Sequence, residues 1–143
     1  MRGRGERDEP RWAAWAAWRL PRARSAMASH HDLIVGLKNL GNTCFLNATL
    51  QCIFTEKRLV EMLLERRHSV RCGQLATLGW CFLCVLERHV IGMYSSSGRP
   101  FSPTEIARSI PKLCPEMRFG RQEDAHELVL GIIDKMQQAS DKV

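Results

Sequence analysis

The residues with the clearest chemical potential lie in the segment GLKNLGNTCFLNATLQC, residues 36–52. Cys44 stands where glycine, asparagine and threonine give way to an apolar run. Asn42-Thr43 is a suitable helix N-cap, and the start of a helix stabilises a thiolate. Asn39, five residues before Cys44, carries an amide donor suited to an oxyanion formed when that thiolate attacks a carbonyl group. From residue types alone, Cys44 remains open as a nucleophile, a redox partner or a small buried side chain.

A second group of side chains, which contains His68, Cys72, Cys81 and Cys84, has the spacing H-x3-C-x8-C-x2-C. Three thiols and one imidazole suit a tetrahedral structural zinc site, and the last two cysteines would share one face of a helix. Such an ion would staple residues 68–84 and take no part in catalysis. The same residues are also compatible with three packed cysteines in a helical hairpin beside an exposed histidine. The spacing leaves both interpretations open.

Composition bounds the kind of protein that positions these side chains. The chain has 143 residues, of which 45% are hydrophobic and 25% charged, as in a soluble domain with a core of its own. Six cysteines without a secretory signal favour a reduced, intracellular protein of the cytoplasm or nucleus. No run approaches the roughly 18 apolar residues of a membrane helix, so no membrane partner is expected.

The net charge of +6 is unevenly distributed. Residues 1–26 carry seven arginines and three acids, so most of the charge lies there and no basic stripe predicts a nucleic-acid partner. Tryptophans at every third position from Trp12 to Trp18 suggest a targeting or membrane-surface helix, but the acids are atypical of a transit peptide. We therefore expect residues 1–32 to be a basic, unstructured extension, and residues 33–143 to be the domain.

The periodicity of apolar residues beyond residue 33 predicts helices and no strands. One helix begins at Cys44, a second spans 57–67 and a third spans 76–93. A capping box at Ser102–Glu105 begins a fourth, which Pro111 is expected to stop. A last helix follows Gly120, with Leu128, Ile132 and Met136 on its apolar face. The fold class predicted is mainly α.

Residues 36–52 resemble the cysteine box of the ubiquitin-specific proteases, a papain-like family of deubiquitinases. FGRQEDAHELVLGIIDKM, residues 119–136, resembles the second signature of that family, and HSVRCGQLATLGWCFLCVLERHV between them is similar to a Cys/His-rich insert of one branch. The resemblance implies that Cys44 is the nucleophile and Asn39 the oxyanion-hole donor. It implies the helical, thumb-like N-terminal half of a catalytic domain, without the β-rich half. The implied substrate is the isopeptide bond at the C-terminus of ubiquitin, the implied partners are ubiquitin and ubiquitinated proteins, and catalysis needs no cofactor.

A papain-like mechanism also needs a general-base histidine. Asp124-Ala125-His126-Glu127 suggests an acid–base pair, but residues two apart on a helix do not face each other. The family takes its catalytic histidine from a later, strand-rich segment with a Gly-His-Tyr type motif, which is absent from this chain. We therefore do not assign the base to His126, and we expect the isolated chain to be inactive and poorly stable.

Two functions of other classes remain open. The chain is compatible with an inactive helical interaction module, whether a pseudo-protease or an incomplete gene product. It is also compatible with a zinc-stapled helical adaptor in which Cys44 only packs, although the spacing of Asn39 and Cys44 argues against that.

Overall fold

The computed structural model describes residues 35–140. That range contains helices and one isolated β-bridge, but no strand, which confirms the mainly α prediction. The helices are α1 (Cys44–Ile53), α2 (Lys57–Leu64), α3 (Gly73–Leu78), α4 (Phe82–Ser95), α5 (Thr104–Leu113) and α6 (Ala125–Ser140). None of the described helices is both long and apolar enough to cross a membrane. The extension predicted for residues 1–32 lies outside the described residues.

Helix α4 forms the centre of the domain and packs against α2, α5 and α6, while α1 packs against α6. Its sequence is apolar around most of its circumference because neighbours cover it on several sides. Each surrounding helix contributes one apolar stripe. The wholly buried side chains include Leu46 and Leu50 of α1, Leu86 of α4, Ile106 and Ile110 of α5, and Leu128 and Ile132 of α6.

The segment before α1 is held by backbone pairing with the loop between α4 and α5. Leu37 and Phe101 form a parallel β-bridge. The N–H of Lys38 donates to the carbonyl of Phe101 at 2.8 Å, and the N–H of Phe101 donates to the carbonyl of Gly36 at 2.8 Å. The bridge fixes the backbone that leads directly into Asn39.

Two predictions about the helices around residues 68–84 are wrong. Helix α2 ends at Leu64 because Arg66 adopts a left-handed conformation, with φ +54°, which a continuous helix excludes. The helix predicted over 76–93 is two helices, since Gly79 has φ +66° and terminates α3. The turns at these two points bring the side chains of His68 and Cys81 into contact.

Helix α5 also departs from its prediction at both ends. Pro111 lies inside the helix instead of stopping it, and the Cys114 N–H still donates to the Ile110 carbonyl at 2.8 Å. Burial of Ile110 and Leu113 outweighs the one backbone donor that proline lacks. The capping box does not form, because Pro103 occupies the N-cap position and no side chain caps the helix.

Candidate functional site

Cys44 is the first residue of α1 and is exposed to solvent. Thr43 occupies the N-cap position as predicted, but its side chain does not cap the helix. The Thr43 hydroxyl instead accepts a hydrogen bond from the Leu40 N–H at 2.9 Å and donates to Asn39 Oδ1 at 3.2 Å. The first N–H groups of α1 therefore keep no side-chain acceptor and point toward the end of the helix where Cys44 lies.

The amide of Asn39 is oriented by the turn that follows it. Its Oδ1 accepts from the N–H of Gly41 at 2.9 Å and from the N–H of Thr43 at 3.2 Å. Since the oxygen is committed to these bonds, the Nδ2 group is the end left to donate. Nδ2 makes no hydrogen bond to any other residue between 35 and 140. The turn thus presents an amide donor beside the start of α1.

Two left-handed residues shape this turn. Gly41 has φ +97°, a conformation that favours glycine, and Asn42 has φ +54°, which asparagine tolerates better than most residues. The Asn42 side chain donates from Nδ2 to the Gly120 carbonyl at 2.9 Å. Thr49 of α1 donates to the Ala125 carbonyl at the start of α6, at 3.4 Å. The two sequence signatures are therefore joined in the structure.

Two amide side chains of α1, one helical turn apart, hold the segment that carries Asn39. Asn47 Nδ2 donates to the carbonyls of Leu37 at 3.3 Å and Lys38 at 3.2 Å. Gln51 Nε2 donates to the carbonyl of Val35 at 2.8 Å. Sequence reasoning missed Asn47 and Gln51, although amides four residues apart on an apolar helix are a usable signal.

His126 is an exposed residue at the start of α6 and forms no pair with Asp124. Asp124 Oδ1 accepts from the backbone N–H of His126 at 2.7 Å and from that of Glu127 at 3.3 Å. The carboxylate therefore serves the helix start and does not orient the imidazole. His126 stays unassigned as the base.

His89 of α4 is buried between two aromatic rings. Its ring is stacked 5.5 Å from that of Phe54 and meets the ring of Phe101 edge-on at 5.1 Å between centroids. Its Nε2 has no hydrogen-bond partner among the described residues. Burial lowers the pKa of His89 to about 4. We interpret it as a neutral packing residue.

The four predicted metal ligands converge on one point. The donor atoms of His68, Cys72, Cys81 and Cys84 all lie within 4.8 Å of one another, and His68 Nε2 is 3.0 Å from Cys81 Sγ. Cys81 is the N-cap of α4, with Cys84 in its first turn, and Cys72 is the N-cap of α3. Tetrahedral zinc, with bonds of about 2.3 Å to sulfur and about 2.0 Å to nitrogen, places donors about 3.4–3.8 Å apart. The cluster is therefore able to bind a metal ion after only small adjustments.

The electrostatics of the cluster favour a negative charge on sulfur. Hydrogen bonding from Cys84, supported by His68 and Cys72, lowers the pKa of Cys81. The same hydrogen bond to Cys81, together with burial, raises the pKa of Cys84. These opposite shifts favour ionisation of the Cys81 thiol over that of Cys84. A buried anionic sulfur surrounded by donors suits a cation.

The remaining two cysteines, Cys52 and Cys114, differ in their exposure to solvent. Cys114 is buried, with its Sγ 3.6 Å from the Glu127 carbonyl, and burial raises the pKa of its thiol. Cys52 is exposed near the end of α1 and therefore does not pack in the core.

Comparison with known proteins decides the family. The family model described as ubiquitin carboxyl-terminal hydrolase matches residues 35–142. The chain belongs to this family. As a ubiquitin carboxyl-terminal hydrolase family member, it carries the Cys44 turn and the α6 signature within the matched range.

Curated relatives carry the same family name. Ubiquitin carboxyl-terminal hydrolase 19 of Arabidopsis thaliana is 45% identical over 102 residues, covering 71% of this chain and 15% of the relative. Ubiquitin carboxyl-terminal hydrolase 42 of Homo sapiens is 37% identical over 109 residues, covering 76% of this chain and 8% of the relative. The human protein named inactive ubiquitin carboxyl-terminal hydrolase 17-like protein 8 is 34% identical over 121 residues, covering 83% of this chain and 21% of the relative. The chain thus spans a minor part of these relatives' lengths.

Proposed function

We propose that residues 35–140 form the nucleophile-bearing half of a thiol-dependent deubiquitinase. The observation that carries this proposal is the Asn39 turn. Asn39 Oδ1 is tied to the N–H groups of Gly41 and Thr43, so that Nδ2 is left to donate beside exposed Cys44. A pre-oriented donor next to a thiol at a helix start is the arrangement that acyl transfer requires.

In the proposed reaction, the Cys44 thiolate attacks the carbonyl carbon of the bond between the ubiquitin C-terminal glycine and a lysine. Asn39 Nδ2 donates to the oxyanion that forms, in the manner of an oxyanion hole. Collapse of the tetrahedral intermediate breaks the C–N bond and releases the lysine amine, which takes a proton from the imidazolium of the general-base histidine. That histidine belongs to a later segment of the family domain. Water then hydrolyses the Cys44 thioester and returns the free thiol.

A chimaera tests the proposal. Residues 35–140 replace the matching segment of the 45% identical Arabidopsis relative, which supplies the remaining parts of a complete protein. We expect the chimaera to hydrolyse a fluorogenic ubiquitin substrate and to bond covalently to a ubiquitin carrying a C-terminal electrophile. Cys44→Ala abolishes both, and Cys52→Ala, on the same helix, leaves both intact. Labelling that survives Cys44→Ala would rule out Cys44 as the nucleophile.

A second candidate function is an inactive helical interaction module, and the relative whose printed name begins with "inactive" favours it. This function predicts that a folded chimaera binds ubiquitin but does not hydrolyse it. Binding without turnover, with Cys44 still reactive toward iodoacetamide, would favour the module over the enzyme.

We further propose that His68, Cys72, Cys81 and Cys84 hold a structural zinc ion in a reducing intracellular compartment. The convergence of four donors within 4.8 Å supports this, because three thiolates and one imidazole form a known zinc ligand set. Metal analysis of the purified chain tests it, with one zinc per chain expected in the wild type and none in Cys81→Ser. A wild-type chain purified under reducing conditions without zinc, and unable to take it up, would contradict the site.

A further inference from the structure

A buried carboxylate lies next to the cluster of four candidate metal ligands. Glu87 of α4, one turn beyond Cys84, is 1% exposed. Its Oε1 accepts from the backbone N–H of His68 at 3.1 Å, and its Oε2 accepts from the backbone N–H of Ser69 at 3.1 Å. Both oxygens of one side chain are therefore bonded to consecutive residues of a distant turn.

Burial of this charge calls for a specific role. Glu87 forms no ion pair within the described part of the chain, where the salt bridges join other residues. A buried carboxylate without a cation is costly unless hydrogen bonds compensate it, and an apolar side chain would fill the same space at lower cost. The two charge-assisted bonds to His68 and Ser69 are the compensation that the fold provides.

The turn that Glu87 holds has no other strong support. Arg66 has φ +54°, so the chain reverses there instead of continuing α2. Besides Glu87, the turn is tied by the Arg71 N–H to the His68 carbonyl at 3.0 Å and by the Ser69 hydroxyl to the Arg66 carbonyl at 3.4 Å. These contacts are local, and among the described residues Glu87 and the contact of His68 with Cys81 join the turn to α4.

We propose that Glu87 is the positioning residue of the metal site, which clamps the His68 backbone so that the imidazole reaches the three sulfurs. The inference rests on the proposed zinc site. The observed 3.0 Å approach of His68 Nε2 to Cys81 Sγ is the geometry that the clamp sustains. Without the clamp, His68 is the ligand that is lost, since the cysteines are placed by the starts of α3 and α4. Partners behind a metal ligand are commonly needed for its full affinity.

The test measures zinc affinity by competition with a chromophoric chelator, in the chain and in its Glu87→Gln variant. Glutamine keeps one acceptor but turns an amide N–H₂ toward a backbone donor, so one of the two bonds is lost. We expect zinc to bind roughly 10- to 100-fold more weakly. Glu116→Gln removes the same charge at an exposed position and is expected to leave the affinity unchanged. Glu87→Asp keeps the charge on a side chain one methylene shorter, and we expect it to weaken binding too.

Two readouts separate positioning from a general effect on folding. With Co²⁺ in place of zinc, Glu87→Gln is expected to change the visible d–d bands in the same way as His68→Ala, as the imidazole ligand is lost. In the His68→Ala background, Glu87→Gln is expected to cause no further loss of affinity. An equal loss in both backgrounds, or unchanged affinity and spectrum in Glu87→Gln, would overturn the positioning role while the zinc site stands. A wild-type chain that binds neither Zn²⁺ nor Co²⁺ would overturn both proposals.

Discussion

Cys44 and Cys81 both lie at the start of a helix, Cys44 as the first residue of α1 and Cys81 as the N-cap of α4. Cys44 is exposed, and Nδ2 of Asn39, whose Oδ1 accepts from the N–H of Thr43 just before Cys44, has no partner among the described residues. Cys81 is wholly buried, and its neighbours Cys84 and His68 form hydrogen bonds with it. The two thiols thus both lie near a helix start, one position apart in the capping scheme, and their surroundings differ.

This difference shows that a helix start alone does not assign a function to a cysteine. What distinguishes the Cys44 turn is that its donors are oriented and left free, as a site for an incoming group requires. What distinguishes the metal cluster is that its four donors converge within 4.8 Å of one another, as a closed structural metal site requires.

The largest effect is expected from removing the sulfur of Cys44 in the chimaera. Cys44→Ala should lower kcat for a ubiquitin substrate by at least about 10⁴-fold, as loss of a nucleophile does. Zinc content and the thermal midpoint should stay at their original values, because the exposed side chain supports no packing. Turnover assays and metal analysis on the same preparation check this. Loss of zinc in Cys44→Ala would show that the two regions are not separate.

The reciprocal change removes the metal and leaves Cys44 intact. At free zinc about 1,000 times the dissociation constant, zinc should contribute about 4 kcal/mol to the free energy of unfolding. Cys84→Ser should abolish this gain, while Cys52→Ser, at an exposed position, should retain it. Urea unfolding with and without a chelator measures both. If the chelator does not change the free energy of unfolding of the unsubstituted chain, the metal has no structural role.

The sequence could suggest the candidate residues of both sites, but it did not reveal the residues that hold them in place. Asn39 and Cys44 lie within one turn and helix start, and the four candidate metal donors span only residues 68–84, so the sequence could suggest each set as a group. Glu87 and Asn47 were missed because their partners lie 19 and 10 residues away and only the folded chain shows the bonds. The extent of α5 was missed because tertiary burial decided it, against the local preference of Pro111.

The Asn39 turn can be tested with a nearly isosteric change. Asn39→Asp keeps the oxygen that accepts from Gly41 and Thr43 and replaces the Nδ2 donor with a second oxygen. We expect kcat of the chimaera to fall about 10²- to 10³-fold, as when one oxyanion-hole donor is removed, with little change in thermal midpoint. Asn39→Ala should lose as much activity and also lower the midpoint, since the turn loses its hydrogen bonds. Full activity in Asn39→Asp would exclude Nδ2 as the oxyanion donor.

His89 is a buried histidine of α4 that lies outside the donor cluster, in contrast to His68. Burial lowers its pKa from 6.5 to about 4. Between these values the unfolded chain binds a proton that the folded chain does not, so stability falls as pH falls from 6.5 to 4. The loss from this group is about 3 kcal/mol and is complete below pH 4.

His89→Leu should remove this loss and flatten the dependence of unfolding free energy on pH. Both chains are compared in the Cys84→Ser background, so that acid release of zinc does not contribute. Parallel pH profiles for the two chains would show that His89 does not stay neutral in the folded state.

The smallest effect is expected at Cys114, a buried thiol that is neither exposed like Cys44 nor joined to a donor cluster like Cys81. A Cβ at Gly131 of α6 would lie 2.4 Å from Cys114 Sγ and 3.0 Å from the Leu113 carbonyl oxygen. Gly131→Ala should therefore destabilise the chain by about 1–3 kcal/mol, because the end of α5 must move away from α6. Gly36→Ala, with no atom within 4 Å of the new methyl group, serves as the control.

Cys114→Ala in the same chain opens space for the new methyl group and should recover part of the loss. If it recovers all of it, Cys114 supports only the close packing of two helices, and its sulfur is replaceable in a way that those of Cys44 and Cys81 are not. If Gly131→Ala costs the same with and without Cys114, the contact with the Leu113 carbonyl limits the approach of the helices. The thiol would then have no measurable part in the packing.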